Sequence, residues 1–113
     1  MNNYETSCLA LDKELAEVLG WHRLHMHNFY GTMQLRGDNP SKNIVNMKVP
    51  RWTQDDAAAF KLSIEYSVNY RIIKSYDEVV SDSVVVNTQD FPSDDAACRY
   101  VIVQSVINVL KGS

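Results

Sequence analysis

Three histidines stand close together in the order H-x-x-H-x-H. They are His22, His25 and His27. Side chains two residues apart on a β-strand share a face, so His25 and His27 are expected on one face and His22 on the other. Two imidazoles on one face could bind a transition metal if a third ligand came from elsewhere in the chain. A solvated polar strand face explains the same pattern, so a metal-dependent enzyme is the last of three functional hypotheses.

Basic residues are concentrated around one tryptophan. The tryptophan is Trp52, and the basic residues are Arg23, Lys48 and Arg51, with Arg36 and Lys42 as further cations. Such a group could hold a phosphate, or a nucleotide stacked on Trp52. Alternatively, Trp52 packs against the start of the following helix, as a hydrophobic staple does. Arg23, Lys48, Arg51 and Trp52 are therefore the candidate binding residues.

Two pairs of neighbouring carboxylates could be read as acid–base pairs. The pairs are Asp55 with Asp56 and Asp94 with Asp95, and each follows a Thr or Ser. Helix capping and the positive end of the helix dipole explain both pairs. The sequence has no glycine-rich phosphate loop, nucleophile elbow or zinc-protease motif. We therefore expect a protein that is not an enzyme and has no cofactor.

Length and composition predict one globular domain over residues 1–113. Hydrophobic residues make up 45% and charged residues 22% of the chain, and the net charge is −3. An acidic balance disfavours nucleic acid as the main partner. The start lacks the pattern of a signal peptide, and no apolar run is long enough for a membrane span. We expect a cytoplasmic protein with free thiols at Cys8 and Cys98, because free cysteine is commonly buried.

Hydrophobic periodicity supplies the elements that would position these residues. Helical spacing predicts helices at residues 7–19, 53–67 and 96–110, and alternation predicts strands at 21–35, 43–49, 69–76 and 83–88. The turn signal Gly37–Ser41 places the tip of a long first hairpin near Asp38. The order αββαββα predicts an α+β fold, a layered sandwich with a mainly antiparallel sheet of about four strands and three helices.

The middle helix has a marked start. Thr53 is the expected N-cap, and Asp56, three residues on, gives a weak capping box. Helical spacing then predicts which face is buried. That face carries Ala57, Phe60, Ile64 and Val68.

The last helix is apolar over more than one face. Ser93 is its expected N-cap, and the apolar residues run from Tyr100 to Leu110. A helix packed on one side of a sheet needs an apolar stripe of little more than about 100 degrees. The excess predicts either a homodimer through residues 93–110 or coverage by Trp21 and the first helix within one chain.

Three groups of residues form a recognisable set: Leu19-Gly20-Trp21, then Pro50, Trp52, Thr53, Asp56 and the alanines 57–59, and finally Ala96, Ala97 and Cys98. In these groups the chain resembles the phage ABA sandwich domain family, small phage and prophage proteins without an assigned activity. The resemblance covers the ends and the middle of the chain, whereas residues 22–48 fit it poorly. It implies a sandwich fold and a phage or prophage origin, and it offers no catalytic residues.

We expect a small, non-enzymatic accessory protein that binds and inhibits, or sequesters, a host component such as a defence protein or a small signalling molecule. The second hypothesis is a structural or assembly accessory that works as a homo-oligomer. It rests on the wide apolar surface of the last helix.

Overall fold

The computed structural model describes residues 3–112, which contain three α-helices and six short strands. In chain order the elements are α1 (Asn3–Val18), β1 (His22–Phe29), β2 (Thr32–Asn39), β3 (Ile44–Lys48), α2 (Asp56–Glu65), β4 (Tyr70–Ile73), β5 (Glu78–Ser81), β6 (Val85–Asn87) and α3 (Asp94–Leu110). Short 3₁₀ turns follow β4 and β6. The protein is therefore α+β with three helices, as the sequence predicts.

The strands form two antiparallel sheets, not the single sheet of about four strands that we expected. Sheet 1 has the order β1-β2-β3, and sheet 2 has the order β4-β5-β6. Strands that follow each other in the chain pair with each other in both sheets. The order αββαββα was thus wrong by one strand in each half of the chain.

The first hairpin turns at Tyr30 and Gly31, and the tip expected near Asp38 was wrong. Both turn residues have positive φ angles, 52° and 84°, and Phe29 pairs with Thr32 across them. Two central residues with positive φ make a type I′ turn, the kind that suits tightly twisted hairpins. Tyrosine rarely adopts a positive φ angle, so Gly31 is the one residue in the sequence that indicates a turn here.

The signal at Gly37–Ser41 belongs to a later turn. Residues 40–43 connect β2 to β3, which leaves Asp38 inside a strand. Gly37 is also a strand residue, and a Cβ added to it would lie 2.7 Å from Leu24 Cδ2. This glycine serves the close approach of β1 to β2, which a single sequence does not distinguish from a turn.

Strand β5 is the other element that the sequence analysis missed. Asp77 does turn the chain, with φ 52°, but Glu78 already begins a strand. Val79 in that strand is fully buried and pairs with Ile72 and Val86 on either side. The short central strand was hidden because its first residue is charged and follows an aspartate.

Helix α3 lies between sheet 2 and the other two helices. On one side, its residues Ile102, Val103, Val106 and Ile107 join a core with Leu11, Leu15 and Ala16 of α1, Ala59 and Leu62 of α2, Trp21 and Trp52. On the other side, Ala97 and Val101 pack on Val79 of sheet 2. Two apolar faces on one helix are therefore buried within a single chain.

This packing covers most of the apolar surface on which the homodimer through residues 93–110 was predicted. Trp21 and α1 cover one side of α3, as the alternative interpretation held, and sheet 2 covers the other. Val109 and Leu110, at the end of the helix, remain exposed. Association of two copies stays a prediction, but α3 offers it little apolar area.

The N-cap of α2 is Asp55, and the assignment of Thr53 to that role was wrong. The Asp55 carboxylate accepts hydrogen bonds from the backbone N–H groups of Ala57 and Ala58. Thr53 is buried instead and binds Asp12. The N-cap predicted for α3 is confirmed, because the Ser93 hydroxyl accepts a hydrogen bond from the backbone N–H of Ala96 at 3.1 Å.

The buried face of α2 also differs from the predicted one. The buried residues of the helix are Ala59, Leu62 and Ser63. Of the predicted face, Ala57, Phe60 and Ile64 are exposed, and Val68 beyond the helix is partly buried against the core. The helix carries apolar residues on both sides, and α3 packs against the side with the smaller side chains.

Cys8 is buried and Cys98 is half-buried, and both are free thiols. Among the helices of residues 3–112, none has both the length and the apolar character that crossing a membrane requires.

Candidate functional site

The histidines lie on β1, at the outer edge of sheet 1. His25 and His27 pair with Arg36 and Gln34 of β2, so they do share one face. The ring of His25 donates a hydrogen bond from Nδ1 to the carbonyl oxygen of Arg23 at 2.9 Å. A guanidinium across from His25 repels a metal cation. Within residues 3–112, no group of three or more His, Cys, Asp or Glu side chains is placed to hold a metal ion.

The four candidate binding residues do not come together in one place. Arg23 pairs with Asp38 at 2.5 Å on sheet 1. Arg51 donates a hydrogen bond from Nε to the buried carboxylate of Asp12 at 2.9 Å. Lys48 is exposed on β3, opposite Arg36. Arg23 and Arg51 therefore each have an acidic partner within the chain.

Trp52 packs into the core, which favours the alternative interpretation of it as a packing residue, and it also lines a cleft. Trp52 and Trp21 are each 7% exposed, which leaves no open ring face for a stacked base. The cleft measures about 420 Å³ and lies between the end of α1, the turn before β3, and α2. We call it the tryptophan cleft; Leu19, Trp21, Lys42, Met47, Trp52, Lys61, Leu62, Glu65 and Tyr66 are among its lining residues.

The acid pairs serve the helix starts. Asp55 caps α2, and Asp56 accepts a hydrogen bond from Arg99 Nη1 at 2.5 Å. Asp94 pairs with Lys74 at 3.3 Å. These arrangements match capping and ion pairing and not a shared catalytic proton, which would need two carboxyl groups in contact.

A second groove, which the sequence analysis did not anticipate, runs between α2 and β4. Its floor is α3, its volume is about 390 Å³, and its lining consists of Asp56, Ala59, Phe60, Tyr70, Ile72, Asp95, Cys98, Arg99 and Ile102. We call it the β4–α2 groove. Phe60 is 59% exposed, and Ile64, one turn further along α2, is 64% exposed. Tyr70 and Ile72 on β4 are also partly exposed.

The position of β4 explains why this groove is open. β4 pairs with β5 on one side and has no strand on its other side within the described part of the chain. Ile72 pairs with the buried Val79, so Tyr70 and Ile72 are on the face of sheet 2 that packs on α3. Because β4 is the edge strand, that face extends past the helix and reaches solvent beside Phe60.

One end of the β4–α2 groove is acidic. The N-terminal turns of α2 and α3 bring together Asp55, Asp56, Asp94 and Asp95, against the cations Arg99 and Lys74. Burial raises the pKa of the Cys98 thiol, and the charges of Asp95 and Asp94 raise it further; Arg99 lowers it, and Asp56 adds the smallest increase. The thiol in the groove is therefore held in its neutral form, which is a poor nucleophile.

The groove residues could have been found from the width of the apolar surface on α2. The sequence places Ala59 and Leu62 on one side of that helix, and Phe60 and Ile64 on the other. A helix with two apolar sides buries one and must expose or cover the other. Helix α3 buries both of its apolar sides, whereas α2 buries one and exposes the other.

The tip of the β1–β2 hairpin carries a separate set of exposed apolar side chains. Phe29, Tyr30 and Met33 are all exposed there, and the rings of Phe29 and Tyr30 meet edge to face at 4.6 Å. These residues form a convex tip, whereas the β4–α2 groove is concave.

Comparisons of the chain with protein-family models, with curated proteins and with solved structures found no match.

Proposed function

We propose that this protein is a small, non-enzymatic accessory protein that inhibits or sequesters a partner protein by binding an extended segment of it in the β4–α2 groove. The observation that carries the proposal is the row of exposed apolar side chains beside an unpaired strand edge. Exposed apolar side chains that cluster in one place often mark a surface that binds another molecule.

The apolar walls supply the driving force for binding. Phe60 on one side faces Tyr70 and Ile72 on the other, with Ile102 in the floor, and Ile64 is exposed one turn further along α2. Fully burying a side chain of this size stabilises a complex by about 1.5–3 kcal/mol. Since these side chains are already partly buried, each contributes a fraction of that amount.

The backbone of β4 would fix the direction and the register of a bound peptide. An edge strand presents unpaired N–H and C=O groups, and an extended peptide can pair with them as an added strand. A peptide strand added to β4 would place alternate side chains over the groove. The free edge and the apolar walls therefore favour the same occupant, an extended chain with apolar residues at alternate positions.

The acidic end of the groove selects the charge of the partner. Asp95 lines the groove, and the four carboxylates at the helix starts outnumber the two nearby cations. Charge complementarity adds specificity and speeds association. The partner segment should therefore carry Lys or Arg next to its apolar residues.

A phage or prophage origin, and a host defence component as the partner, are also part of the proposal. They are supported by the resemblance of Leu19-Gly20-Trp21 and the Trp52–Ala59 region to phage ABA sandwich domain proteins. Sequencing the genes that flank the coding sequence tests the origin. Flanking phage genes would support it, and an ordinary chromosomal setting would contradict it.

Selection from a displayed library of random peptides tests the groove without knowledge of the natural partner. We expect the selected peptides to share alternating apolar residues and a basic residue. A synthetic consensus peptide should bind the wild type and lose at least about tenfold in affinity to a Phe60→Ser, Ile72→Ser double variant.

Val85→Ser is the matched control, because Val85 is 62% exposed on β6, at the opposite edge of the same sheet. That variant should bind the consensus peptide like the wild type. Peptides without a shared pattern, or an equal loss of affinity in the control, would contradict the proposal.

The alternative function, a homo-oligomeric assembly accessory, would use the same edge. Because α3 is covered on both sides, two copies of the chain would associate by pairing β4 of one copy with β4 of the other. Sedimentation at micromolar concentration distinguishes the two functions. A monomer favours the partner-binding function, and a dimer that Ile72→Ser dissolves favours the assembly function.

A further inference from the structure

We infer that the tryptophan cleft is a second binding site, specific for a small planar organic anion. Its occupant differs from the one proposed for the β4–α2 groove, and helix α2 separates the two sites. Ala59 and Phe60 line the groove, whereas Lys61 and Leu62 line the cleft. The inference is therefore independent of the proposed function.

The size and floor of the cleft suit a small aromatic body. About 420 Å³ is within the range of small-molecule pockets, which runs from roughly 300 to 1,000 Å³. The floor is apolar, since Trp21, Trp52, Met47 and Leu62 all contribute to it. Both tryptophans are only 7% exposed, so a flat ligand would lie against a surface that several side chains share and not in a stack on one ring.

The rim of the cleft is net positive. Its charged side chains are Lys42, Lys61 and Glu65. Within residues 3–112, neither lysine ammonium group has a hydrogen-bond or ion-pair partner, in contrast to Lys74 and Lys111. Two unpaired cations over an apolar floor favour a ligand that has one negative group and an apolar body.

Neutral polar groups complete the rim. Tyr66 lines the cleft, and its hydroxyl, which is protonated at neutral pH as in any tyrosine, can donate a hydrogen bond; burial, together with the charge of Glu65, raises its pKa further. Asn39 holds the turn in place, because its Oδ1 accepts hydrogen bonds from the backbone N–H groups of Ser41 and Lys42. The backbone of Lys42 is thereby fixed, which positions its side chain beside the cleft.

The sequence supplies a built-in reporter for this site. The chain has two tryptophans, and both line the cleft. A ¹⁵N–¹H spectrum of the protein therefore contains two indole cross-peaks, and both report on the same place. The probe is 2-naphthoate, and its cationic isostere 2-naphthylmethylammonium is the control ligand.

We expect 2-naphthoate to shift both indole cross-peaks in a saturable way. The cationic isostere should bind at least about fivefold more weakly, because two ammonium groups face the ligand. A Lys42→Gln, Lys61→Gln double variant should lose the preference for the anion. Lys74→Gln, which changes a lysine outside the cleft, should keep it.

Three results would overturn the inference: no saturable shift at millimolar 2-naphthoate, equal affinity for the anion and the cation, or an unchanged preference in the double variant. The two indole cross-peaks without ligand check that each variant is folded. A loss of binding together with altered starting spectra would call for the milder Lys61→Gln variant, which should weaken the preference partly.

Discussion

The hydroxyl of Thr53 donates a hydrogen bond to the Asp12 carboxylate at 2.7 Å, and the backbone N–H of Thr53 donates to the same carboxylate at 3.0 Å. Asp12 is fully buried in α1 and also accepts a hydrogen bond from Arg51. Burial raises the pKa of Asp12, while the hydrogen bonds from Arg51 and Thr53 act against that rise. These bonds tie the first helix to the chain segment that leads into α2.

Removing the Thr53 hydroxyl should destabilise the protein. Thr53→Val keeps the shape of the side chain but leaves Asp12 without one of its donors, which should cost about 1–3 kcal/mol. Thr53→Ser keeps the hydroxyl and should cost less. Chemical denaturation of both variants measures the difference, and equal stability of Val and Ser would show that the hydroxyl bond contributes nothing.

Loss of either observed N-cap should weaken its helix. Asp55→Ala and Ser93→Ala each remove a side-chain acceptor from the first turn, at a cost of about 1 kcal/mol. Asn at either position should restore most of the loss, because its carbonyl oxygen also accepts the backbone N–H. Urea unfolding of the Ala and Asn variants tests both caps, and an Ala variant as stable as the wild type would contradict the assignment.

Two neighbouring apolar residues of α2 should respond very differently to truncation. Phe60 projects into solvent beside the groove, so Phe60→Ala should change the free energy of unfolding by less than about 1 kcal/mol. Leu62 is buried in the main core, so Leu62→Ala should cost about 2–4 kcal/mol. A larger loss for Phe60→Ala than for Leu62→Ala in thermal unfolding would mean that the helix buries the opposite face.

The Cys98 thiol should react slowly at neutral pH. Its raised pKa means that the thiolate fraction at a given pH is smaller than in a free cysteine, and the fraction grows about tenfold per pH unit until that pKa is passed. Reaction with a disulfide reagent between pH 7 and pH 10 should therefore keep accelerating past the point where a small-molecule thiol levels off. The Cys98→Ser variant shows which part of the reaction belongs to Cys98. If the rate for Cys98 levels off at the same pH as the rate for the small-molecule thiol, the pKa of Cys98 is not raised.

The same thiol reports on the groove. Since Cys98 lines the β4–α2 groove, a bound peptide should slow its reaction with the reagent. A peptide that binds without protecting Cys98 would bind elsewhere.

The three helices and the start of α3 were the parts of the fold that the sequence could predict. Ser93, with its run of acidic residues, marks the start of α3 in a way that depends on local chemistry alone. Thr53 carries the same local signature, but a buried carboxylate distant in sequence engages its hydroxyl. Local sequence cannot show that competition, because it depends on where α1 packs.

The candidate binding sites were harder to predict for a related reason. Trp52 was a candidate for stacking a nucleotide beside Lys48 and Arg51, but the lysines that line a cleft with it are Lys42 and Lys61, which the fold brings together from separate elements. Arg23 and Arg51 form ion pairs with Asp38 and Asp12, partners that tertiary packing and strand register supply. Which cations remain unpaired is a property of the folded chain and not of their spacing.

The central position of α3 has a consequence for how the chain is made. Ribosomes synthesise α3 after every other described element, yet the core of α1 and α2 and the core of sheet 2 both require it. The nascent chain up to about residue 93 thus lacks the α3 side chains that complete the cover over Leu11, Leu15 and Val79, a state that invites chaperone binding. Folding of the whole unit must wait until residues 94–110 have left the exit tunnel, so a premature stop codon before α3 should yield a fragment that is degraded.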